Sequence, residues 1–600
     1  MRSLRRPPRR VATQWLAGLD AALAQGDIDA ALNLFGKECY WRDLVTFTWN
    51  IVTLEGRDAV RAMLNANLEA TKPSSWQLEG EAKAVDGVVE AWFTFETQHA
   101  RGNGLVRLRD GKAWTFLTAM KELKGHEEKR GPTRRKGVEH GIHANHRTWK
   151  EQRAADEAEL GYSRQPYVLV IGGGQGGIGL AARLKQLDVP TLVVDRHARP
   201  GDAWRKRYKS LCLHDPVWYD HMPYLPFPDT WPVFAPKDKI GDWLEMYTRV
   251  MELDYWSSSE VVAASWDDAA REWTVKIKHA GGEVTVKPRH VVLATGMSGI
   301  PNIPDFPGKE RFKGTQCHSS EHASGAAWAG KKAVVIGSNN SAHDICADLW
   351  EHGADVTMVQ RSSTNVVRSE TLMELGMGDL YSERALANGI TTEKADMIFA
   401  SIPYRVLGDL HISLYERVKE RDHAFYEKLK ASGFMLDFGA DESGLFMKYL
   451  RRGSGYYIDV GACELVMDGR IKLRSGVGIR EITENGVLLD DGTELPADLI
   501  VYATGYGSMN GWAARIMSQE MADRVGKCWG LGSDTPKDPG PWEGELRNMW
   551  KPTQQEGLWF HGGNLHQSRC YSHYLALQLK ARMEKVPTNV YGVPAVHHLQ

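Results

Sequence analysis

Three glycines, Gly172, Gly174 and Gly177, follow the apolar run YVLVI (167–171) with the spacing GxGxxG. The first allows a tight turn, the second lets a pyrophosphate approach the backbone, and the third lets a helix pack closely on a strand. A second apolar run, TLVVD, ends at Asp195, whose carboxylate can accept hydrogen bonds from ribose hydroxyls. The pattern predicts a dinucleotide-binding unit in which a helix N-terminus faces phosphate.

The same unit recurs later in the chain. The strand-like run KKAVVI leads to Gly337, and a helix opens at Asn340 and Ser341. Asn339 takes the place of the middle glycine, and Ala342 takes that of the last. Asparagine tolerates left-handed backbone better than other residues with a side chain, and alanine still allows close packing. We therefore predict a second nucleotide site over these residues.

The residue that ends the second strand of each unit predicts which coenzyme binds. An acid such as Asp195 repels a 2′-phosphate, whereas an arginine attracts one. In the second unit the strand DVTMVQ ends at Arg361, so this unit favours NADP, and the first suits a ribose with free hydroxyls. A surface charge without a ligand is the alternative interpretation of Arg361.

Two further apolar runs, HVVLATG (290–296) and DLIVYATGY (498–506), end in Gly turns. The second turn carries Thr504 and Gly505, which we include among the cofactor-binding residues. Because the run over 498–503 is the last strand of this type, we expect it to return the chain to the first sheet. The second nucleotide unit is then an insertion within the first.

Length and composition limit the class of protein. Six hundred residues suggest two to four domains, and a net charge of −2 gives no electrostatic case for nucleic acid. The seven cysteines form no CxxC pair, which argues against a disulfide framework, a zinc knuckle or a redox dithiol. No run approaches the length of a membrane span, and MRSLRRPPRR lacks the apolar core of a secretory signal. We expect a cytoplasmic enzyme.

The pattern of elements predicts five segments. Helical runs followed by alternating hairpins over 1–123 resemble an NTF2-like cone of α+β type. Residues 124–163 are predicted to be a charged, solvated linker. The alternative is that their Lys and Arg side chains form a patch for an anionic partner. We assign 164–328 to the first part of the first dinucleotide-binding domain, 329–495 to an NADP domain with a helical insertion, and 496–600 to the rest of the first domain with a tail.

The chain from about 164 to 585 resembles the class B flavoprotein monooxygenases, which include flavin-containing and Baeyer–Villiger monooxygenases. Besides the glycine motifs, the resemblance rests on Phe312, Gly314 and His318, which fit the fingerprint FxGxxxHxxx(Y/W). His322 stands where the family has Tyr or Trp. Gly201 and Trp204 match the GGxW pattern, with an acid in place of its second glycine. The N-terminal extension makes the chain most similar to the type II flavin-containing subgroup.

The resemblance implies a fold and an activity. The fold is α/β, with two Rossmann-like dinucleotide-binding domains, the NADP domain inserted in the FAD domain, preceded by the NTF2-like cone. The activity is that of an FAD-dependent NAD(P)H monooxygenase, with NADPH as coenzyme and NADH as an accepted alternative. It forms a C4a-(hydro)peroxyflavin with O2 and oxygenates a small organic substrate by N/S-oxidation or Baeyer–Villiger ketone oxidation. An uncoupled NADPH oxidase, or another flavoprotein oxidoreductase with two dinucleotide domains, is the alternative. A homodimer is expected.

The resemblance also implies roles for single residues. His318 would couple nicotinamide binding to the arrangement of the domains. His214, two residues before Pro216, aligns with an asparagine that tunes the oxygen chemistry in the family; a structural histidine in a turn is the alternative. Gln175 would reach the edge of the flavin ring.

Other residues complete the cofactor side of the predicted site. Arg196 and Trp204 stand near the first unit. In the segment that closes the flavin site in the family, Asn564 and Gln567 are further candidates. Arg569 of that segment is either a cofactor ligand or the partner in a structural ion pair.

Overall fold

The computed structural model describes residues 7–597. Its N-terminal part begins with helices and continues into long antiparallel hairpins, as the sequence predicts. The Asp27 side chain accepts a hydrogen bond from the Ala30 N–H and so caps the second helix. The elements are α1 (Pro8–Ala24), α2 (Ile28–Leu32), β1 (Phe35–Leu44), β2 (Ile51–Glu55), α3 (Arg57–Thr71), β3 (Ser74–Val85), β4 (Val88–Glu96), β5 (Ala100–Arg109) and β6 (Lys112–Leu123).

The N-terminal sheet has the strand order β2-β1-β6-β5-β4-β3. Only the β1–β6 pair is parallel among these strands. Helix α1 packs across one face, and Trp15, Phe35, Trp41 and Phe116 fill the space between them with edge-on and stacked rings. The NTF2-like name for this unit stays a prediction.

A charged connector leads to the first parallel sheet, which contains β24 (Leu558–Phe560), β13, β7, β8 and β9 in that order. Its strands β7, β8 and β13 are buried on both faces, which explains their continuous apolar runs. The elements up to β13 are α4 (Trp149–Glu159), β7 (Val168–Ile171), α5 (Gln175–Gln186), β8 (Thr191–Val194), α6 (Asp202–Arg205), α7 (Lys237–Val250), β9 (Tyr255–Trp256), β10 (Glu260–Asp267), β11 (Glu272–His279), β12 (Gly282–Val286) and β13 (His290–Leu293).

The second parallel sheet has the order β14-β23-β15-β16-β19. Between its strands the chain inserts helices and small sheets. The elements are β14 (Thr315–His318), β15 (Lys332–Ile336), α8 (Asn340–Glu351), β16 (Asp355–Gln360), β17 (Asn365–Arg368), α9 (Ser369–Thr371), α10 (Glu383–Ala387), α11 (Thr392–Ala400), α12 (Tyr404–Arg421), α13 (His423–Ala431), α14 (Leu445–Arg452), β18 (Tyr456–Asp459), α15 (Ala462–Met467), β19 (Lys472–Ser475), β20 (Ile479–Ile482), β21 (Gly486–Leu489), β22 (Glu494–Pro496) and β23 (Leu499–Tyr502).

The sheet to which β23 belongs corrects one prediction. We expected the strand over 498–503 to return the chain to the first sheet, and this is wrong, because β23 pairs with β14 and β15 in the second sheet. The return is made by β24, which pairs with β13. The second sheet thus takes strands from outside 329–495, whereas the five segment boundaries themselves stay predictions. The last elements are α16 (Asn510–Ile516), α17 (Gln519–Val525), β24 (Leu558–Phe560) and α18 (Leu565–Met583).

The N-terminal sheet shares a core with the first parallel sheet. Leu44, Leu117 and Met120 belong to the same buried apolar cluster as the strands β7, β8 and β13 and the helix α18. The prediction of an α/β chain with parallel sheets is therefore confirmed, and its N-terminal unit is joined to the rest by apolar packing. Within residues 7–597, no helix is long and apolar enough to cross a membrane.

Candidate active site

The first glycine motif lies at the carboxyl end of β7. A Cβ on Gly172 would lie 2.2 Å from the Ala294 carbonyl oxygen, and one on Gly177 would lie 1.9 Å from the Gly172 oxygen, so neither position accepts a side chain. By contrast, a Cβ on Gly174, the N-cap of α5, would meet no atom within 4 Å. The buried hydroxyl of Ser568 has no hydrogen-bond partner among residues 7–597. Open space over a helix N-terminus and a free hydroxyl donor fit the pyrophosphate and polar groups of FAD.

The acid predicted to bind ribose is held at this glycine turn. Oδ2 of Asp195 accepts the Gly173 N–H at 2.8 Å, and Oδ1 accepts the His197 N–H at 2.8 Å. Each carboxylate oxygen keeps a further lone pair for a ribose hydroxyl. Arg196 is exposed beside it.

Gln175 and Trp204 are joined directly. The indole Nε1–H of Trp204 donates to Oε1 of Gln175 at 3.1 Å. Because Gln175 begins α5 and Trp204 belongs to α6, the bond holds the glycine motif against the second predicted flavin-side segment.

The second glycine motif repeats the geometry of the first. Gly337 has a φ of +133°, and a Cβ there would lie 2.2 Å from the Ala503 oxygen. Asn339 caps α8 with φ −98° and ψ −162°, close to the φ −79° and ψ −167° of Gly174. This backbone is extended, so the reason predicted for asparagine, tolerance of left-handed backbone, is wrong. Asn340 and Ser341 then begin α8, where their N–H groups are free for phosphate.

Arg361 is exposed directly after β16 and makes no hydrogen bond or ion pair with the described residues 7–597. Its surroundings are basic. Burial, and after it the charges of Arg452 and Arg361, lower the pKa of the Lys537 ammonium. A guanidinium without a partner in a basic neighbourhood fits a coenzyme phosphate.

His318 ties β14 to the turn that follows β23. Its Nε2–H donates to the Gly505 carbonyl at 2.9 Å, and its Nδ1 accepts the Ser320 N–H at 3.1 Å. Burial lowers the pKa of His318, which favours the neutral ring that this pattern requires. The Thr504 hydroxyl donates to the Asn302 carbonyl in the same turn. His318 does not line the cavity described below.

A cavity of about 260 Å³ lies where the two nucleotide units meet. It brings together Trp204, His214, Asn340, Ser341 and Asn564 of the predicted residues. The glycines, Asp195, Arg361, Thr504 and Gln567 lie outside its lining. An apolar wall from the inserted helices and strands completes it, formed by Leu372, Leu445, Phe446 and Ile458.

His214 faces carboxylates in this cavity. Its Nε2 lies 3.4 Å from Oδ2 of Asp344, which also accepts the Tyr208 hydroxyl at 2.8 Å. Burial lowers the pKa of His214, but the carboxylates of Asp344, Asp215 and Asp459 together outweigh burial and raise it above the ordinary value. Burial also raises the pKa of Asp215 to about 6. The imidazole therefore keeps its proton to higher pH than an ordinary histidine does.

The C-terminal segment supports the cavity from α18. The amide of Asn564 donates to the Tyr219 hydroxyl at 3.1 Å, and Gln567 accepts the Tyr449 hydroxyl at 2.6 Å. Both tyrosines line the cavity. Arg569 makes a structural ion pair instead, because its Nε and Nη2 donate to the two oxygens of Asp396 at 2.8 and 2.7 Å.

Asp344, Asp215 and Tyr449 are among the lining residues that the sequence did not predict. Asp344 stands three residues after Ser341 in α8, so the start of the second unit could have indicated it. Asp215 is next to His214, and only its burial distinguishes it from a surface acid. Tyr449 carries no signal, since only the tertiary fold brings α14 to the cavity.

Comparison with known proteins places this geometry in a family. A family model described as pyridine nucleotide-disulphide oxidoreductase matches residues 169–402. The rice (Oryza sativa subsp. japonica) indole-3-pyruvate monooxygenase YUCCA1 is 31% identical over 344 residues, which are 57% of this chain and 77% of the relative. The chain is a class B flavoprotein monooxygenase. It is an enzyme that depends on FAD and NADPH.

Other similar proteins agree with this membership. The probable indole-3-pyruvate monooxygenase YUCCA10 of Arabidopsis thaliana is 29% identical over 390 residues, covering 64% of this chain and 90% of the relative. An open crystal structure of cyclohexanone monooxygenase superposes with a TM-score of 0.51 at 20% identity, covering 70% of this chain and 88% of that one. The latter likeness shows the shared fold. Within residues 7–597, which include all seven cysteines, no disulphide is formed.

Proposed function

We propose that this monooxygenase oxygenates a small organic substrate in the cavity between its two nucleotide units. One observation carries the proposal. Trp204 and Asn564 from the predicted flavin side line the same cavity as Asn340 and Ser341 from the predicted coenzyme side. His214, a titratable donor, lines it too. A place where both cofactors and an acid–base group converge suits redox chemistry on a bound molecule.

The residues divide the work around the cofactors. FAD, which Asp195 and the Gly172–Gly177 turn would hold, would carry electrons from NADPH to O2 and so supply the activated oxygen. The bond between Gln175 and Trp204 fixes a polar edge against the flavin side. The apolar side chains of Leu372, Leu445 and Phe446 exclude water, which would otherwise divert the oxygen to hydrogen peroxide.

His214 is the group that donates a proton or a hydrogen bond to the reacting oxygen. A protonated donor favours oxygen transfer to nitrogen or sulfur, whereas its loss favours attack on a ketone. Asp344 and Asp215 raise the pKa of His214 against the effect of burial, so the protonated donor persists to higher pH than in an ordinary histidine. N/S-oxidation and Baeyer–Villiger oxidation are therefore the two reactions to distinguish, and indole-3-pyruvate, the substrate in the names of the plant relatives, belongs in the same comparison.

Substrate-dependent turnover tests the proposal. NADPH consumption, oxygenated product and hydrogen peroxide are measured together with a cyclic ketone, a thioether, a tertiary amine and indole-3-pyruvate. Product in proportion to NADPH with one class supports the proposal and identifies the reaction. Peroxide equal to NADPH with every substrate contradicts it and leaves the oxidase alternative. Leu445→Ala in the cavity wall is expected to increase the peroxide fraction, whereas Leu410→Ala on the exposed face of α12 is the matched control.

A further inference from the structure

One arginine of the N-terminal sheet contacts residues from two later parts of the chain. Arg42, in β1, is only 1% exposed. Its Nε and Nη2 donate to the two carboxylate oxygens of Glu545 at 2.7 and 2.9 Å. The guanidinium also lies 4.9 Å from the ring centre of Tyr404 and 5.6 Å from that of Tyr571. A planar, buried, two-bond pair held between rings has one allowed geometry.

The third nitrogen of the Arg42 guanidinium joins the sheet to α11. Its Nη1 donates to the Ala400 carbonyl at 2.7 Å, at the last residue of that helix. One turn earlier, α11 carries Asp396, the carboxylate that accepts both bonds from Arg569 of α18. The C-terminal end of α11 is therefore fixed from one side by the N-terminal sheet, and its middle is fixed from the other by α18.

The same chain of contacts continues to the cavity. Nη1 of Arg569 donates to the carbonyls of Tyr219 and His221 at 2.7 and 2.9 Å. The Tyr219 hydroxyl accepts the Asn564 amide at 3.1 Å. Tyr219 and Asn564 line the cavity. Four hydrogen-bonded links, with α11 between the first two, thus join a residue of the N-terminal sheet to the wall beside the predicted flavin.

We propose that the N-terminal sheet is a permanent part of the active-site wall, and that Arg42 is the positioning residue through which it holds α11 and, by Asp396 and Arg569, the side chains of Tyr219 and Asn564. The role of the sheet is then to keep NADPH oxidation coupled to oxygenation of the substrate. It is not to bind a separate ligand. Catalytic geometry must be held to within about 0.5 Å, and misplacement by about 1 Å costs on the order of a hundredfold in rate. A wall fixed from outside the nucleotide units meets that demand.

The test separates positioning from stability. Arg42→Met alone leaves the carboxylate of Glu545 buried without its partner, so it is expected to destabilise the fold. The double variant Arg42→Met/Glu545→Met replaces the pair by apolar side chains, which often preserves stability, but it still lacks the donor to Ala400. Arg405→Met is the matched control, because the Arg405–Glu55 pair joins the same two parts of the chain while both side chains are partly exposed.

Two measurements are made on the full-length protein loaded with FAD. The rate of amide hydrogen exchange in the peptide over 392–404 measures how firmly α11 is held in place. The amount of peroxide formed per NADPH measures coupling. In the double variant we expect bound FAD as in the wild type, about tenfold faster exchange over 392–404, as loss of one charge-assisted hydrogen bond predicts, and a larger peroxide fraction. Arg405→Met is expected to change neither measurement.

Other outcomes overturn the proposal. Wild-type exchange and wild-type peroxide in the double variant would show that the sheet is attached without influence on the wall. Equal effects of Arg405→Met would show general loosening of the interface. If the double variant is insoluble, Arg42→Lys, which keeps the charge but lacks the planar fork, is measured in the same way. The inference rests on the cavity being the active site; if the wild type oxygenates no substrate, that assignment fails, while the exchange data still report whether Arg42 holds α11.

Discussion

At the scale of single residues, Arg361 offers a clean test of coenzyme choice, because its guanidinium has no partner among residues 7–597. Two charge-assisted bonds to a 2′-phosphate contribute roughly 1.5–3 kcal/mol each before solvent losses. We expect Arg361→Ala to weaken NADPH binding by on the order of tenfold to a hundredfold and to leave NADH binding unchanged. Stopped-flow titration of flavin reduction with both coenzymes measures this.

The control for this variant is Arg417→Ala, which removes an equally exposed arginine from α12. It is expected to bind NADPH like the wild type. Equal losses of NADPH and NADH affinity in Arg361→Ala would show that Arg361 is a structural charge, and the coenzyme phosphate would then need another anchor.

His214 makes product formation depend on pH. Carboxylates led by Asp344 raise its pKa above the ordinary value of about 6.5, so the protonated form persists to higher pH and is lost as the pH rises through the raised value. Activity that needs this donor should fall along that limb. In Asp344→Asn the limb should move to lower pH, and in His214→Asn it should disappear. Profiles of kcat/KM for each product between about pH 6 and 9 measure this. An unchanged limb in His214→Asn would assign it to another group.

At the scale of elements, the turn after β23 depends on a strand from far away in the sequence. His318 holds this turn through its Nε2–H and the Gly505 carbonyl. We expect His318→Ala to keep FAD but to release more peroxide per NADPH, because the turn after β23 loses a hydrogen bond of about 1 kcal/mol. Flavin absorbance and peroxide yield are the measurements.

A conservative variant separates this role from simple packing. The side-chain amide of glutamine places a donor near the position of Nε2, so His318→Gln should restore much of the coupling, whereas His318→Asn should not. Peroxide yields as in the wild type for all three variants would remove His318 from the coupling role.

The glycine turns could be predicted from the sequence. At Gly172, Gly177 and Gly337 a Cβ atom would collide with a neighbouring backbone oxygen, so only glycine fits. The sheet to which β23 belongs was not, because an apolar run says that a strand is buried on both faces but does not say which strands flank it. Lining residues of the cavity could be predicted only where they belong to a nucleotide-binding motif, as Asn340 and Ser341 do. Tyr449 comes from a helix whose sequence shows ordinary amphipathic spacing, so only its packing reveals its place.

At the scale of the whole molecule, the N-terminal unit is not separable. The sequence predicts that deletion of residues 1–123 leaves a protein that binds FAD, since no cofactor motif lies there. The structure leads us to expect the opposite. Deletion exposes apolar core shared with α18 and leaves Glu545 without Arg42, a loss of about 3–5 kcal/mol from a total stability of roughly 5–15 kcal/mol. Soluble yield and flavin absorbance of the truncated protein measure this.

Co-expression of residues 1–123 as a separate chain is the matched control for this deletion. It should restore part of the soluble, FAD-containing protein, because the shared core and the ion pair can reassemble without the covalent connection. A truncated protein that is soluble and yellow by itself would contradict the expectation and would return the N-terminal unit to the status of an independent module.

The pairing of β13 with β24 can form only after most of the chain has been synthesised. β13 ends at Leu293 and its partner begins at Leu558. At roughly 5–20 residues per second, the ribosome needs on the order of 10–50 s to make the intervening part of the chain. Throughout that interval one edge of β13, a strand that is fully buried in the folded protein, has no neighbour, and open strand edges can pair with other nascent chains. The yield of folded enzyme in a host cell therefore depends on how well chaperones shield this edge before translation ends.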